Sequence, residues 1–228
     1  MNRIACYFAT RNIYPYVMPA VKSMLMNGGV DEIYVFAEDP YLGYPVPDYV
    51  YVTDVSGQEW FDRKGPNYKC QWTYMVMMKA AACYLLPDAD RALTMDVDTI
   101  VTGNLSDLWN IDMTGYCVAG CREPYKTGAS MREYVNAGVL YWNLDMMRRG
   151  NADRIIRAMN EKYYMYVEQD AISEQLEGKI LRIDGGYNSC AFVEPTQTGE
   201  RVKHYAARGW GAFMADGLVK EYLEMAWP

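Results

Sequence analysis

The sequence predicts a single α/β domain, a mixed, mostly parallel central sheet flanked by helices. Three observations carry this. Short apolar runs fit for buried strands alternate with stretches of helical spacing through the first half, the signature of βαβ units with helices on both faces of a sheet. The 228 residues, 51% apolar and 22% charged, suit one globular body with a sizeable core and argue against disorder. No internal repeat, low-complexity segment or linker interrupts the pattern, so one domain is expected over residues 1–228.

Residues 4–9 are an apolar run fit for a buried strand. Residues 14–27 space Val17, Val21, Met24 and Leu25 as a helix does, and Gly28-Gly29 supplies its stop. A second strand follows at 32–37, a loop with three prolines at 39–48, a third strand at 49–53 and a polar, turn-rich stretch at 56–68. Residues 70–86 predict a helix ending near Pro87, and 92–95 a strand running into Asp96-Val97-Asp98. Further strands are expected at 118–121, 138–142, 180–183 and 202–205, and helices at 152–163, 169–176 and 213–226.

Composition excludes several functions. Lys plus Arg number 22 and Asp plus Glu 29, a formal charge of −7, and no basic run is present, so no nucleic-acid partner is expected. Any phosphate handled by so acidic a chain calls for a metal ion or a few placed cations. The six cysteines form no CxxC pair and the chain has one histidine, which argues for scattered buried thiols over a zinc centre. The longest apolar candidate, residues 72–86, is interrupted by Lys79, so no membrane span is expected. The N-terminus reads as a strand and not as a signal peptide. A soluble protein of a reducing compartment, the cytoplasm, is the expectation.

The sharpest local feature is the aspartate pair. Residues i and i+2 of an extended chain point to one side, so Asp96 and Asp98 can converge on one cation beyond the end of their strand. Open α/β sheets bind ligands at that edge, and hard carboxylate oxygens suit Mg²⁺ or Mn²⁺. On spacing alone, two solvated aspartates capping the next segment serve equally well. His204, the only histidine, is by itself more ordinary as a structural residue. With the aspartates upstream it becomes a candidate third ligand, and imidazole tilts the choice toward Mn²⁺.

At these residues the chain resembles glycosyltransferase family 8, which includes glycogenin and bacterial lipopolysaccharide galactosyltransferases. The pieces occur in the family's order from about residue 4 to about residue 210. The strand ending at Ala9, with Thr10, Asn12 and Tyr14, is similar to the uridine-binding segment. Lys79 falls where the family carries a basic residue near the donor phosphates. Asp96-Val97-Asp98 matches the metal-binding Asp-x-Asp, and Asn136-Ala137-Gly138-Val139 the Asn-Ala-Gly-Val segment. Glu168-Gln169-Asp170 resembles a stretch that usually opens with aspartate. His204-Tyr205 with Trp210 resembles the closing motif, shortened here: Ala207 replaces a glycine, and Arg208-Gly209-Trp210 replaces Lys-Pro-Trp.

The resemblance implies a GT-A (Rossmann-like) fold and a metal-dependent, retaining transfer of a hexose from UDP-glucose or UDP-galactose to a carbohydrate or other hydroxyl acceptor. It implies Mn²⁺, with Mg²⁺ as the alternative, on Asp96, Asp98 and His204. Ala9, Thr10, Asn12, Tyr14 and Val97 would line the nucleotide, with Tyr14 offering a ring face. Asn136, Ala137 and Glu123 would meet the sugar, although a turn residue at Asn136 and a solvated loop residue at Glu123 are the plain alternatives. Lys79 and Arg208 are candidate cations toward the diphosphate, or simply surface charges. Gln169 and Glu168 would lie near the anomeric carbon. Gln169 is a weak nucleophile, so attack by the acceptor on the departing face is expected over a covalent intermediate. A homodimer is compatible with this reading. The rivals are a sugar nucleotidyltransferase, which usually opens with a glycine-rich basic segment absent from Ala9-Thr10-Arg11-Asn12, and a non-catalytic nucleotide-sugar binder.

Overall fold

The computed structural model describes residues 2–124 and 133–228. Strand β1 (Ile4–Ala9) is buried on both faces: Ile4, Cys6 and Phe8 enter one core cluster, Ala5, Tyr7 and Ala9 the other. That two-sided burial is why the run is continuously apolar and does not alternate. A 3₁₀ turn at Arg11–Ile13 leads into α1 (Tyr14–Asn27), which lays Val17, Ala20, Val21 and Met24 on the sheet. The helix stops at Gly28, and Gly29 takes the left-handed conformation (φ 62°) that releases the chain toward β2 (Glu32–Ala37). β3 (Val50–Asp54) sits one residue beyond its expected start.

The helix expected at 70–86 is shorter and tighter. It opens at Tyr74, runs as 3₁₀ turns through Ala81 and becomes α-helical only in α2 (Ala82–Leu85). Buried Met75, Met77 and Met78 anchor it, and it also carries Lys79 into the core. So long a 3₁₀ run is unusual, since the poorer hydrogen-bond geometry rarely persists past a few residues, and such stretches often mark functional positions.

β4 (Arg91–Met95) ends at the aspartate pair, and β5 (Thr99–Val101) follows at once. α3 (Ser106–Trp109) and β6 (Val118–Arg122) come next. β7 (Val135–Asn143) begins three residues before its expected start and leads into α4 (Leu144–Met146). α5 (Ala152–Glu161) and α6 (Val167–Gln175) pack together against the 3₁₀ stretch. β8 (Ile180–Ile183) and a 3₁₀ turn at Gly185–Asn188 precede β9 (Val202–His204). The tail is two helices, α7 (Gly209–Ala215) and α8 (Gly217–Glu224), where one was expected. Asp216 breaks it by capping α8, its carboxylate accepting from the Leu218 N–H at 2.9 Å.

The main sheet runs β3-β2-β1-β4-β7-β6-β8, with all neighbours parallel except those flanking β7, which is antiparallel to β4 and β6. β1 therefore lies between β2, reached through α1, and β4, reached later. The crevice beyond β1 and β4 is the switch point at which such sheets bind ligands. Because β7 is reversed, its beginning, not its end, lies at that edge. The β5–β9 ladder forms a separate pair there, with Thr99 opposite His204. All six cysteines are free, and among the described residues no helix is long and apolar enough to cross a membrane.

Candidate active site

Three elements bring the aspartates and the histidine together. β4 delivers Asp96 to the crevice, its N–H donating to the Gly138 carbonyl at 2.8 Å. The β5–β9 ladder sets His204 beside the pair, and the Tyr205 N–H donates to the Asp98 carbonyl at 3.0 Å. His204 Nε2 lies 3.3 Å from Asp98 Oδ1 and 3.7 Å from Asp96 Oδ2. One ligand atom from each of the three lies within 4.8 Å of the others, and the donor set, two carboxylates and one imidazole, fits a divalent cation such as Mn²⁺. Burial alone would push the imidazolium down, but Asp98 and then Asp96 outweigh it and raise His204 to about 10. Asp98 is held below the usual carboxylate range by the facing imidazolium in spite of its burial. Cys190 also faces this imidazole.

Gly138 makes room for the ring. A Cβ there would lie 2.2 Å from His204 Cε1 and 2.6 Å from Nδ1, so only glycine admits the imidazole.

Lys79 is 2% exposed, which removes the surface-charge reading. Its ammonium donates to Asp96 Oδ1 at 2.5 Å, the Ala137 carbonyl at 3.0 Å and Glu168 Oε1 at 3.1 Å. Burial would lower it, but Asp96 and Glu168 hold it above the ordinary ammonium value. Burial pushes the Glu168 carboxyl up, against the pull of Lys79. Glu168 follows Val167, whose φ of 36° is rare for a β-branched residue, and such strain tends to gather at functional positions.

A buried amide network adjoins the triad. The Ala137 N–H donates to Gln169 Oε1 at 2.9 Å, and Gln169 Nε2 donates to Glu123 Oε2 at 3.1 Å. Asn136 Nδ2 donates to the same Glu123 oxygen at 2.7 Å. Glu123 is fully buried, which corrects the solvated-loop alternative, and Asn136 lies inside β7, which corrects the turn alternative.

The nucleotide-side candidates lie past the end of β1. Ala9 and Thr10 are buried, the Thr10 hydroxyl donates to Asn12 Oδ1 at 2.6 Å, and Asn12 is exposed. Tyr14 is 7% exposed and packed in the core; its hydroxyl receives the Glu38 N–H at 2.9 Å and donates to Asp39 at 3.3 Å. Val97 is buried between the aspartates. Arg208 is exposed at the start of α7, just after Ala207, which keeps a left-handed φ of 59° although it is not glycine. Sequence reasoning passed over Asn188, fully buried and 2.7 Å from His204 Nδ1. Its setting, Gly185-Gly186-Tyr187-Asn188, reads only as a turn.

The family model for glycosyl transferase family 8 matches residues 44–207. The chain is 31% identical over 127 residues to glycosyltransferase GlyA of Streptococcus pneumoniae serotype 4, covering 53% of this chain and 18% of that protein. It is 27% identical over 134 residues to lipopolysaccharide 1,2-glucosyltransferase of Escherichia coli K12, covering 52% of this chain and 39% of that protein. The chain thus spans well under half the length of these curated relatives. Among solved structures, the galactosyltransferase LgtC in complex with donor and acceptor sugar analogs superposes with a TM-score of 0.75 at 16% identity, over 96% of this chain and 95% of that one. That likeness shows a GT-A fold.

Proposed function

The chain belongs to glycosyl transferase family 8, and from that premise we propose that it moves a hexose from a UDP-sugar to a carbohydrate or other hydroxyl acceptor with retention at the anomeric carbon. The observation that carries the reading is the convergence of Asp96, Asp98 and His204 at the crevice between β1 and β4. These three residues would hold Mn²⁺ or Mg²⁺, which when bound neutralises charge growing on a departing diphosphate. The surroundings favour such a cation, since Asp96, Asp98, Glu123 and Glu168 outnumber Lys79 and would otherwise repel a diphosphate.

The protein's own groups divide the remaining work. Lys79 fixes the orientation of Asp96 and offsets Glu168, so the aspartate presents Oδ2 toward His204. Past the end of β1, Thr10 and Asn12 would meet the base and ribose, and the exposed Arg208 before α7 would reach toward the diphosphate. Gln169 and Asn136 are buried and held by Glu123, and would set the polarity of the wall behind the sugar. Glu168 has one oxygen committed to Lys79, which supports an electrostatic role and front-face attack, with the leaving phosphate taking the acceptor proton. The six free thiols support a reducing, cytoplasmic setting.

UDP release from UDP-glucose and UDP-galactose, with Mn²⁺ and with a chelator, tests the reading. Release that depends on metal and rises with added glycan acceptors is expected. Absence of release with any nucleotide sugar, alongside tight UDP binding, would leave a binding protein.

A further inference from the structure

The orientation of every amide beside His204 follows from two backbone N–H groups. Amide oxygens and nitrogens look alike, so their assignment must come from obligatory partners. A backbone N–H can only donate. The Gly138 N–H meets Asn136 Oδ1 at 2.9 Å, which fixes that atom as the acceptor and turns Asn136 Nδ2 toward Glu123. The second contact of Asn136 Oδ1, at 2.8 Å, must then be the amino group of Asn188. Asn188 therefore presents Oδ1 to His204 Nδ1 at 2.7 Å, and an oxygen facing that nitrogen requires it to carry a proton. In the neutral imidazole, the remaining lone pair is on Nε2, the nitrogen 3.3 Å from Asp98. The Ala137 N–H fixes Gln169 in the same manner, so two consecutive residues of β7 set the polarity on both sides of Glu123.

We propose that Asn188 is a positioning residue, the last link of a chain Gly138 N–H, Asn136, Asn188, His204, which locks the imidazole in the tautomer that turns a lone pair toward Asp96 and Asp98. The inference rests on the cation site proposed above, and it adds a residue that does not itself face the cation. Its burial matters: Asn188 is fully buried, Asn136 5% exposed and His204 5% exposed, so no solvent competes for these bonds and an inverted amide would set oxygen against oxygen. Partners of this kind, one step behind a metal-bound histidine, typically govern affinity by about 10- to 100-fold.

The single histidine makes the test unambiguous. Long-range ¹H–¹⁵N correlation of the uniformly labelled chain with Cd²⁺, a diamagnetic probe, is expected to show Nδ1 protonated and Nε2 shifted by the metal. A proton on Nε2 with the metal on Nδ1 overturns the proposal in the wild-type protein alone. By calorimetry, Asn188→Ala is expected to weaken Mn²⁺ binding about 10- to 100-fold. Asn188→Asp keeps an oxygen toward Nδ1 and loses only the donor to Asn136, so it is expected to recover most of the affinity while melting at a lower temperature. Equal affinity in wild type and Asn188→Ala, or an Asp variant as weak as Ala, overturns the positioning role while leaving the cation site standing. No metal-induced change at His204 in the wild-type chain removes the cation site and the inference together.

Discussion

Asp96 stands where two networks meet: Oδ1 is held by Lys79 and Oδ2 faces His204. Asp96→Asn or Asp98→Asn is expected to abolish metal-dependent UDP binding and transfer without unfolding the chain, because both side chains are partly exposed, the amide keeps an oxygen in place, and Lys79 retains Glu168 as a charged partner. Normal turnover by either variant with Mn²⁺ supplied would remove the ligand assignment. His204 gives a prediction with a definite sign. Its folded-state value, about 10, lies above the ordinary 6.5. In chelator, its contribution to stability is therefore complete below pH 6.5 and lost as pH rises through 10. Mn²⁺ must displace that proton, so metal affinity is expected to climb with pH throughout the range below 10. His204→Ala should flatten both profiles; a slope unchanged in the variant would assign it to another group. Glu168 supplies a third expectation. Glu168→Gln leaves Lys79 paired with Asp96, and transfer should fall only about 10-fold, whereas removing a covalent nucleophile would cost more than the ~10²-fold of a merely misplaced one. Gln169→Ala should lose more, because it strands the Ala137 N–H and one partner of Glu123. A glycosyl adduct on Glu168 with donor alone, discharged by acceptor, would restore the covalent route.

At the scale of elements, the reversal of β7 does the most for the site. A parallel strand would bring its end to the crevice, but β7 brings its beginning, and with it Asn136, Ala137 and Gly138 beside Asp96. The strand must also be slim at that point. Gly138→Ala is expected to displace the His204 ring and weaken Mn²⁺ binding at least about 10-fold, the scale seen when a metal ligand loses its support. Wild-type affinity in that variant would mean the imidazole can move aside freely. The turn from β9 to α7 makes a different use of backbone conformation. Ala207 is exposed at φ 59°, a conformation costing an L-residue about 1–2 kcal/mol that glycine does not pay. Glycine gives back about 0.4–1 kcal/mol through the freer unfolded chain. Ala207→Gly should therefore stabilise by up to about 1.5 kcal/mol, raising Tm by at most roughly 3–6 °C in a chain of this size. A lower Tm would show that the alanine methyl is needed where it lies.

Across the whole molecule, what the sequence revealed tracks how local its cause is. β1, α1, β2 and β8 have the bounds expected from apolar runs and a glycine stop, because both signals are written within each segment. The stretch at 70–86 departs from the expected helix because apolar spacing does not separate 3₁₀ from α turns, and burying Lys79 between Asp96 and Glu168 depends on residues far along the chain. β5 carries no signal of its own in three residues and exists through its pairing with β9. The same distinction holds at the site: spacing marks Asp96 and Asp98 as candidates but leaves a capping role open, whereas Asn188 matters only because the fold brings a turn onto His204. Such a site, assembled from β4, β7, β9 and the 3₁₀ stretch, should be coupled to the stability of the entire body. Ligand that binds only the folded chain adds about 2.7 kcal/mol at 100 times its dissociation constant, and that corresponds to roughly 5–10 °C in Tm for a chain of this length. A panel of nucleotide sugars with Mn²⁺ should therefore show one UDP-sugar raising Tm by that amount, and the shift should vanish in chelator or in Asp98→Asn, because acidic walls admit a diphosphate only together with a cation. A shift of equal size in chelator would show that Lys79, Arg208 and backbone donors suffice for the diphosphate, and would take the cation out of donor binding.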